Sequence, residues 1–142
     1  MLRRVEYQIR YSIKDYSGDE IKTLEKSNPE NLSHLELYNL AMSYGENSTE
    51  YNRLLTKTIP FYYPKDTVAI NNAAAVSIKN GDLDAARRLL EQAVPSDLLY
   101  NNMGIIYMLE GNREEALRCF DKAITSGNEQ AVYNKKELQR KK

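Results

Sequence analysis

The chain has 142 residues, 42% of them hydrophobic, which is enough for one domain-sized core and too apolar for a disordered chain. Its 20 basic and 20 acidic side chains cancel, which argues against a general nucleic-acid binder, because neutralising phosphates takes a surplus of Lys and Arg. No stretch approaches the ~18–20 apolar residues of a membrane helix, so no direct membrane insertion is expected, and the lone Cys119 cannot form an intrachain disulfide.

In chain order, the first thirteen residues stand apart. Val5, Tyr7, Ile9, Tyr11 and Ile13 alternate with Glu6, Gln8, Arg10 and Ser12, the period of a half-buried β-strand. Arg3 and Arg4 are followed by this alternation and not by the apolar run of a signal peptide. A single strand leaves its backbone groups unpaired, so it is expected to find a partner, with self-association through the strand as one route.

From Ser17 onward the period is helical. Ser17 with Glu20 and Ser33 with Glu36 form capping boxes ahead of helices carrying Ile21 and Leu24, then Leu37, Leu40, Ala41 and Tyr44. Asn47 with Glu50 is expected to open the next helix, which bears Tyr51, Leu54, Leu55 and Ile59 and runs toward Pro64. Asp66 and Asp82 can cap two more, the first closed by Gly81 and the second stopped by Pro95. Ser96 precedes a helix closed by Gly111, and Asn112 with Glu115 precedes one closed by Gly127. A last helix through Ala131 and Leu138 ends in a basic run that reads as a solvated, frayed tail. That makes about eight helices on short turns, divided into residues 1–16 (the strand) and residues 17–142 (the helical domain).

No catalytic constellation emerges from this pattern. His34, the only histidine, sits in the first turn of a helix, where a surface residue beside a cap is the expected role. Metal ligation would need partners that the chain does not supply. Cys119 beside Phe120 reads as a small buried hydrophobe. Acidic pairs such as Glu114–Glu115 fall in first turns, where negative charge suits the helix dipole. The reading is of a non-enzyme with no cofactor and no metal.

The helices come in self-similar pairs. The segment YNNMGIIYMLEGNREEALRCFDKA places Tyr100, Met103-Gly104, Tyr107, Gly111, Ala116, Phe120 and Ala123 at the spacing of a tetratricopeptide unit, a family it resembles closely. The preceding unit offers Ile70, Ala73-Ala74, Gly81, Ala86, Leu90 and Ala93, with Ser77 where an aromatic is usual. A third, weaker unit carries Leu37, Leu40-Ala41, Tyr44, Tyr51, Leu55 and Thr58, without the turn glycine or second alanine. The turn glycines Gly81 and Gly111 lie closer together than the ~34-residue repeat, so the superhelix is expected to be locally irregular.

The resemblance implies an all-α fold: an α-solenoid of about three tetratricopeptide-like helix pairs, with a short N-terminal β-strand and a C-terminal capping helix. It also implies a concave groove that receives a protein or peptide partner. Asn39, Asn72 and Asn102 each precede the small residue of their first helix by two positions, which in this family faces the groove. In some relatives such asparagines hold an extended peptide by its backbone, each amide offering a donor and an acceptor. Met42, Ala75, Ile78, Ile105 and Met108 are the expected apolar lining of the peptide-binding site.

Leu2-Arg3-Arg4-Val5-Glu6 resembles the closing strand of an OmpA-like domain, as found in exported envelope proteins of Gram-negative anaerobes. That resemblance implies a C-terminal module of a larger protein of the cell envelope or periplasm. Two functions from different classes then compete. One is a protein–protein interaction module. The other is a structural brace for the preceding sheet domain, which a groove filled by the chain's own terminus would favour.

Overall fold

The computed structural model describes residues 2–6 and 16–141. Among them are eight helices and no strand. They are α1 (Gly18–Ser27), α2 (His34–Tyr44), a long α3, α4 (Thr67–Lys79), α5 (Leu83–Gln92), α6 (Tyr100–Leu109), α7 (Arg113–Thr125) and α8 (Glu129–Arg140). Helix α3 joins Thr49–Arg53, a π-helical stretch Leu54–Thr58, and Ile59–Tyr62. The π turn has a local cause. Pro60 has no N–H and its ring would strike the carbonyl four residues back, and widening the turn makes room. The Ile59 N–H accordingly bonds to the Leu54 carbonyl, five residues back. The helix thus passes through Pro60 and ends at Tyr62.

Successive helices pack as pairs, α2 on α3, α4 on α5 and α6 on α7, with α8 closing the end against α7. Each junction buries its own cluster. Leu37, Leu54, Leu55 and Ile59 centre the first, Ala74, Ala86, Leu90 and Ile106 the second, and Ile105, Ala116, Phe120 and Leu138 the third. A core laid out in consecutive clusters is what a stack of repeats produces.

One dipeptide device joins the later helices. Gly81-Asp82, Gly111-Asn112 and Gly127-Asn128 each put glycine at φ near +80 to +88°, where its missing side chain allows the left-handed turn. The following Asx then caps the next helix through its side chain. The first pair turns differently, on Gly45 at φ +87° and Asn47 at φ +72°, so this unit does have a turn glycine. Ser48, not Asn47, is therefore the cap of α3.

Three expectations need correction. No β-strand forms among the described residues: residues 2–6 are extended but have no sheet partner, and residues 7–13 of the expected strand lie outside the described residues. Alternation with a period of two marks any extended segment with two unlike sides, and its two described members, Val5 and Glu6, meet helices: Val5 bonds to Asn102 and Glu6 to Tyr51. The C-terminal run is helical through Arg140, its end held by Arg113 Nη1 donating to the carbonyls of Leu138 (2.6 Å) and Lys141 (2.7 Å). His34 is largely buried, with Nδ1 2.9 Å from Asp66 Oδ2 and its ring against Tyr38 and Tyr63. It ties the start of α2 to the cap of α4.

Ala116 is fully buried in the third cluster. Ala116→Leu is expected to cost about 1–3 kcal/mol through overpacking. A urea midpoint equal to the parent's would show that Ala116 is not at a close helix contact.

Candidate peptide-binding groove

Residues 2–6 lie against α4, α6 and α8, and asparagines hold them by the backbone. On α4, Asn71 and Asn72 are adjacent, and on α6 Asn101 and Asn102 repeat the pair. With Asn134 on α8, all five are at most 1% exposed. Buried amides need partners, and those of four of them are the segment and one another.

The bonding is the same at two successive junctions. At the first, Val5 N–H donates to Asn102 Oδ1 (3.0 Å), while Asn102 Nδ2 and Asn71 Nδ2 both donate to the Val5 carbonyl (3.0 Å each). Asn102 Nδ2 also donates to Asn71 Oδ1 (3.0 Å). At the second, Arg3 N–H donates to Asn134 Oδ1 (2.8 Å), and the Arg3 carbonyl accepts from Asn134 Nδ2 (2.8 Å) and Asn101 Nδ2 (3.2 Å). Asn134 Nδ2 donates to Asn101 Oδ1 (3.0 Å). The first clamp therefore takes one asparagine from each of two neighbouring repeats, the second takes one from α6 and one from the closing helix α8, and in both the bond between the amides orients them. An extended chain turns the same edge outward at every second residue, so one repeat step matches two peptide residues.

Side chains of the segment meet different surroundings. Leu2 packs on the third cluster in a cleft that Ile78, Ile105 and Leu109 also line. The Arg3 guanidinium lies 4.2 Å from the centre of the Tyr133 ring, a cation–π contact. Glu6 Oε1 accepts from the Tyr51 hydroxyl (3.0 Å). Arg3 sits against α6 and α8, Val5 against α4 and α6, and Glu6 against α3, so the segment runs opposite to the order of the repeats.

Of the residues singled out from sequence, Asn102 is in a clamp and Asn72 is buried beside Asn71. Ile78 and Ile105 line the Leu2 cleft, Ala75 is buried, and Met108 is half-buried in the third cluster. Asn39 and Met42 are exposed on α2. Sequence reasoning missed Asn71, Asn101, Asn134, Tyr51 and Tyr133. The repeated Asn-Asn dipeptide was a usable signal for the first two. Asn134 lies on the capping helix, which follows no template.

Burial raises the pKa of Glu6, opposed by the Tyr51 hydrogen bond and the charges of Arg4 and Lys79 and assisted by Glu46. Burial and the nearby Glu6 carboxylate also push the Tyr51 phenol up, so it remains a donor. Below the ordinary Glu value of 4.5 both the docked and the released segment are protonated. As pH rises past 4.5 toward the raised docked value, the released state loses its proton first and docking weakens. Protection of the Val5 amide from hydrogen exchange, corrected for the intrinsic rate, is thus expected to fall across that window. Glu6→Gln should flatten the fall, and an identical profile in both proteins would remove Glu6 as its source.

Burial likewise raises the Cys119 thiol, as suits a packing residue. Among the described residues no group of three or more His, Cys, Asp and Glu could hold a metal ion, and no helix is long and apolar enough to cross a membrane.

No curated protein and no solved structure shows a significant match to the chain. Residues 98–126, which span α6 and α7, match the tetratricopeptide repeat family model. Repeats of this kind are generally non-catalytic and suggest a protein–protein interaction module. Asn101 and Asn102, one from each clamp, both fall inside the matched segment.

Proposed function

We propose that the chain is a protein-interaction module whose concave face holds an extended polypeptide by its backbone, with residues 2–6 as its intramolecular occupant. The observation that carries this reading is the repeated clamp: both backbone groups of Arg3 and of Val5 are bonded to paired asparagines. Amide-to-amide bonding of this kind is independent of side-chain identity, so another extended segment could use the same clamps.

A second reading, the structural brace, also has a specific observation behind it. The groove is filled by the chain's own segment, which suits a module that anchors what adjoins it and takes no other ligand. A setting within a larger envelope protein rests on the Leu2–Glu6 resemblance alone, and fractionation of the native protein would test it.

Affinity capture with the native protein separates the two functions. Its comparison is a folded variant combining Asn71→Ala, Asn101→Ala, Asn102→Ala and Asn134→Ala. A protein recovered by the parent and lost by the variant supports the interaction module. Identical recoveries would remove the groove from partner binding and put the brace ahead.

A further inference from the structure

The asparagine clamps fix the backbone at residues 3 and 5, which leaves side chains to decide which extended segment is held. Three positions of the occupant find partners in the groove, the last of them best when its side chain is an uncharged acceptor. Leu2 sits in apolar surroundings beside a cleft of about 390 Å³, so larger apolar side chains also fit there. Arg3 stacks on Tyr133 at 4.2 Å, and Glu6 presents an acceptor to Tyr51 Oη at 3.0 Å.

One position is badly matched. Arg4 lines the same cleft as Leu2, yet its Nε is buried without a hydrogen-bond partner. Glu137, the carboxylate that also lines the cleft, is paired with Arg140 Nη1 at 2.8 Å. A buried donor left unsatisfied is a penalty that an apolar side chain in the same place would not incur.

Resting on the backbone-clamp reading above, we propose that the groove is selective, and that its preferred ligand is an extended peptide of the form apolar–Arg–apolar–X–Glu/Gln, running opposite to the repeats. Residues 2–6 meet this pattern everywhere except at Arg4. They are a suboptimal occupant, held because they are tethered, and a better-matched segment displaces them. The Gln alternative follows from the chemistry of the last position, since Tyr51 needs only an acceptor opposite it.

The first test stays within the full chain. Arg4→Met, made in the Glu6→Gln background so that the attraction between Arg4 and the Glu6 carboxylate does not enter, is expected to raise protection of the Val5 amide in hydrogen exchange by at least about 5-fold, the effect of removing one unsatisfied buried donor. Unchanged or reduced protection would overturn the displaceable-occupant part of the proposal. The second test uses full-length protein with its own segment released by Val5→Pro, which deletes the N–H that Asn102 accepts, or by Leu2→Asp should the first variant not fold. Blocked, fluorescent pentapeptides LRMVE, LRRVE, LAMVE, DRMVE and LRMVK are then titrated by anisotropy. LRMVE should bind at least about 5-fold tighter than LRRVE. LAMVE should be weaker by about 2- to 5-fold for the lost cation–π contact, and DRMVE and LRMVK weaker still. Equal binding by all five overturns the selectivity and leaves the backbone clamp standing. No binding by any peptide to a folded, vacated groove overturns both.

Discussion

Phe120→Ala is expected to cost about 3–5 kcal/mol and to reverse the sign of a second substitution, Gly104→Ala. Phe120 on α7 is fully buried, and its ring lies against Gly104 on α6. A side-chain carbon added at Gly104 would stand 2.6 Å from Phe120 Cε1 and 2.7 Å from Cδ1, closer than such atoms can approach. The ring is enclosed on all sides and cannot swing away. Gly104→Ala alone therefore sets an overpacking cost of about 1–3 kcal/mol against a helix-propensity gain of about 0.5–1 kcal/mol. The clash wins and the variant is less stable. In the Phe120→Ala background the clash is absent, the propensity gain remains, and the new methyl fills part of the cavity. Gly104→Ala should then be stabilising. Urea denaturation of the two single variants and the double variant gives the coupling directly, with about 0.5–3 kcal/mol expected for residues in contact. A Gly104→Ala effect of the same sign and size in both backgrounds would place these residues apart and dismantle the α6–α7 alignment.

That alignment was readable in the sequence because close packing leaves a compositional trace. Gly104, Ala116 and Ala123 are small where bulk cannot fit, and Phe120 is large where the gap must be filled. Gly81, Gly111 and Gly127 mark left-handed turns that other residues rarely adopt. The caps at Ser17, Ser33, Asp66, Asp82 and Asn112 follow the same logic, since side-chain oxygens serve helix ends. The slip from Asn47 to Ser48 shows the weakness of that logic, because two adjacent residues could each serve as the cap.

The groove's occupant was not legible. Periodicity of two reports an extended backbone with unlike sides, and says nothing of what satisfies its amides. A neighbouring strand and a row of asparagines are alternative answers, and only the folded helices bring Asn71, Asn101, Asn102 and Asn134 to the same segment. The long sequence separation between Arg3 and Asn134 puts that pairing beyond local pattern. Nor does spacing within one helix show that a clamp draws on two repeats. Reading one asparagine per unit therefore found Asn102 and overlooked its partner Asn71.

Combining Asn71→Ala with Asn102→Ala is expected to release the centre of the segment while the helices persist. The pair supplies three hydrogen bonds to Val5, and each contributes about 0.5–1.5 kcal/mol net. Their loss shifts the docking equilibrium by about 1.5–4.5 kcal/mol, or roughly 10- to 2000-fold in exchange at the Val5 amide. The Arg3 clamp, with its own two asparagines, should be affected less. Helical circular dichroism should hold, because both substitutions put the best helix former at positions inside α4 and α6. Asn39→Ala is the control: Asn39 is exposed on α2, so the Val5 amide should not respond. The contrast separates a groove that holds peptide from asparagines that merely stabilise helix contacts. In the second case the double variant would lower the thermal midpoint of the whole domain, and the Val5 amide would exchange as freely in the parent as in the variant. That result would end the clamp reading, because a backbone held by six side-chain hydrogen bonds at Arg3 and Val5 cannot exchange at the rate of a free chain.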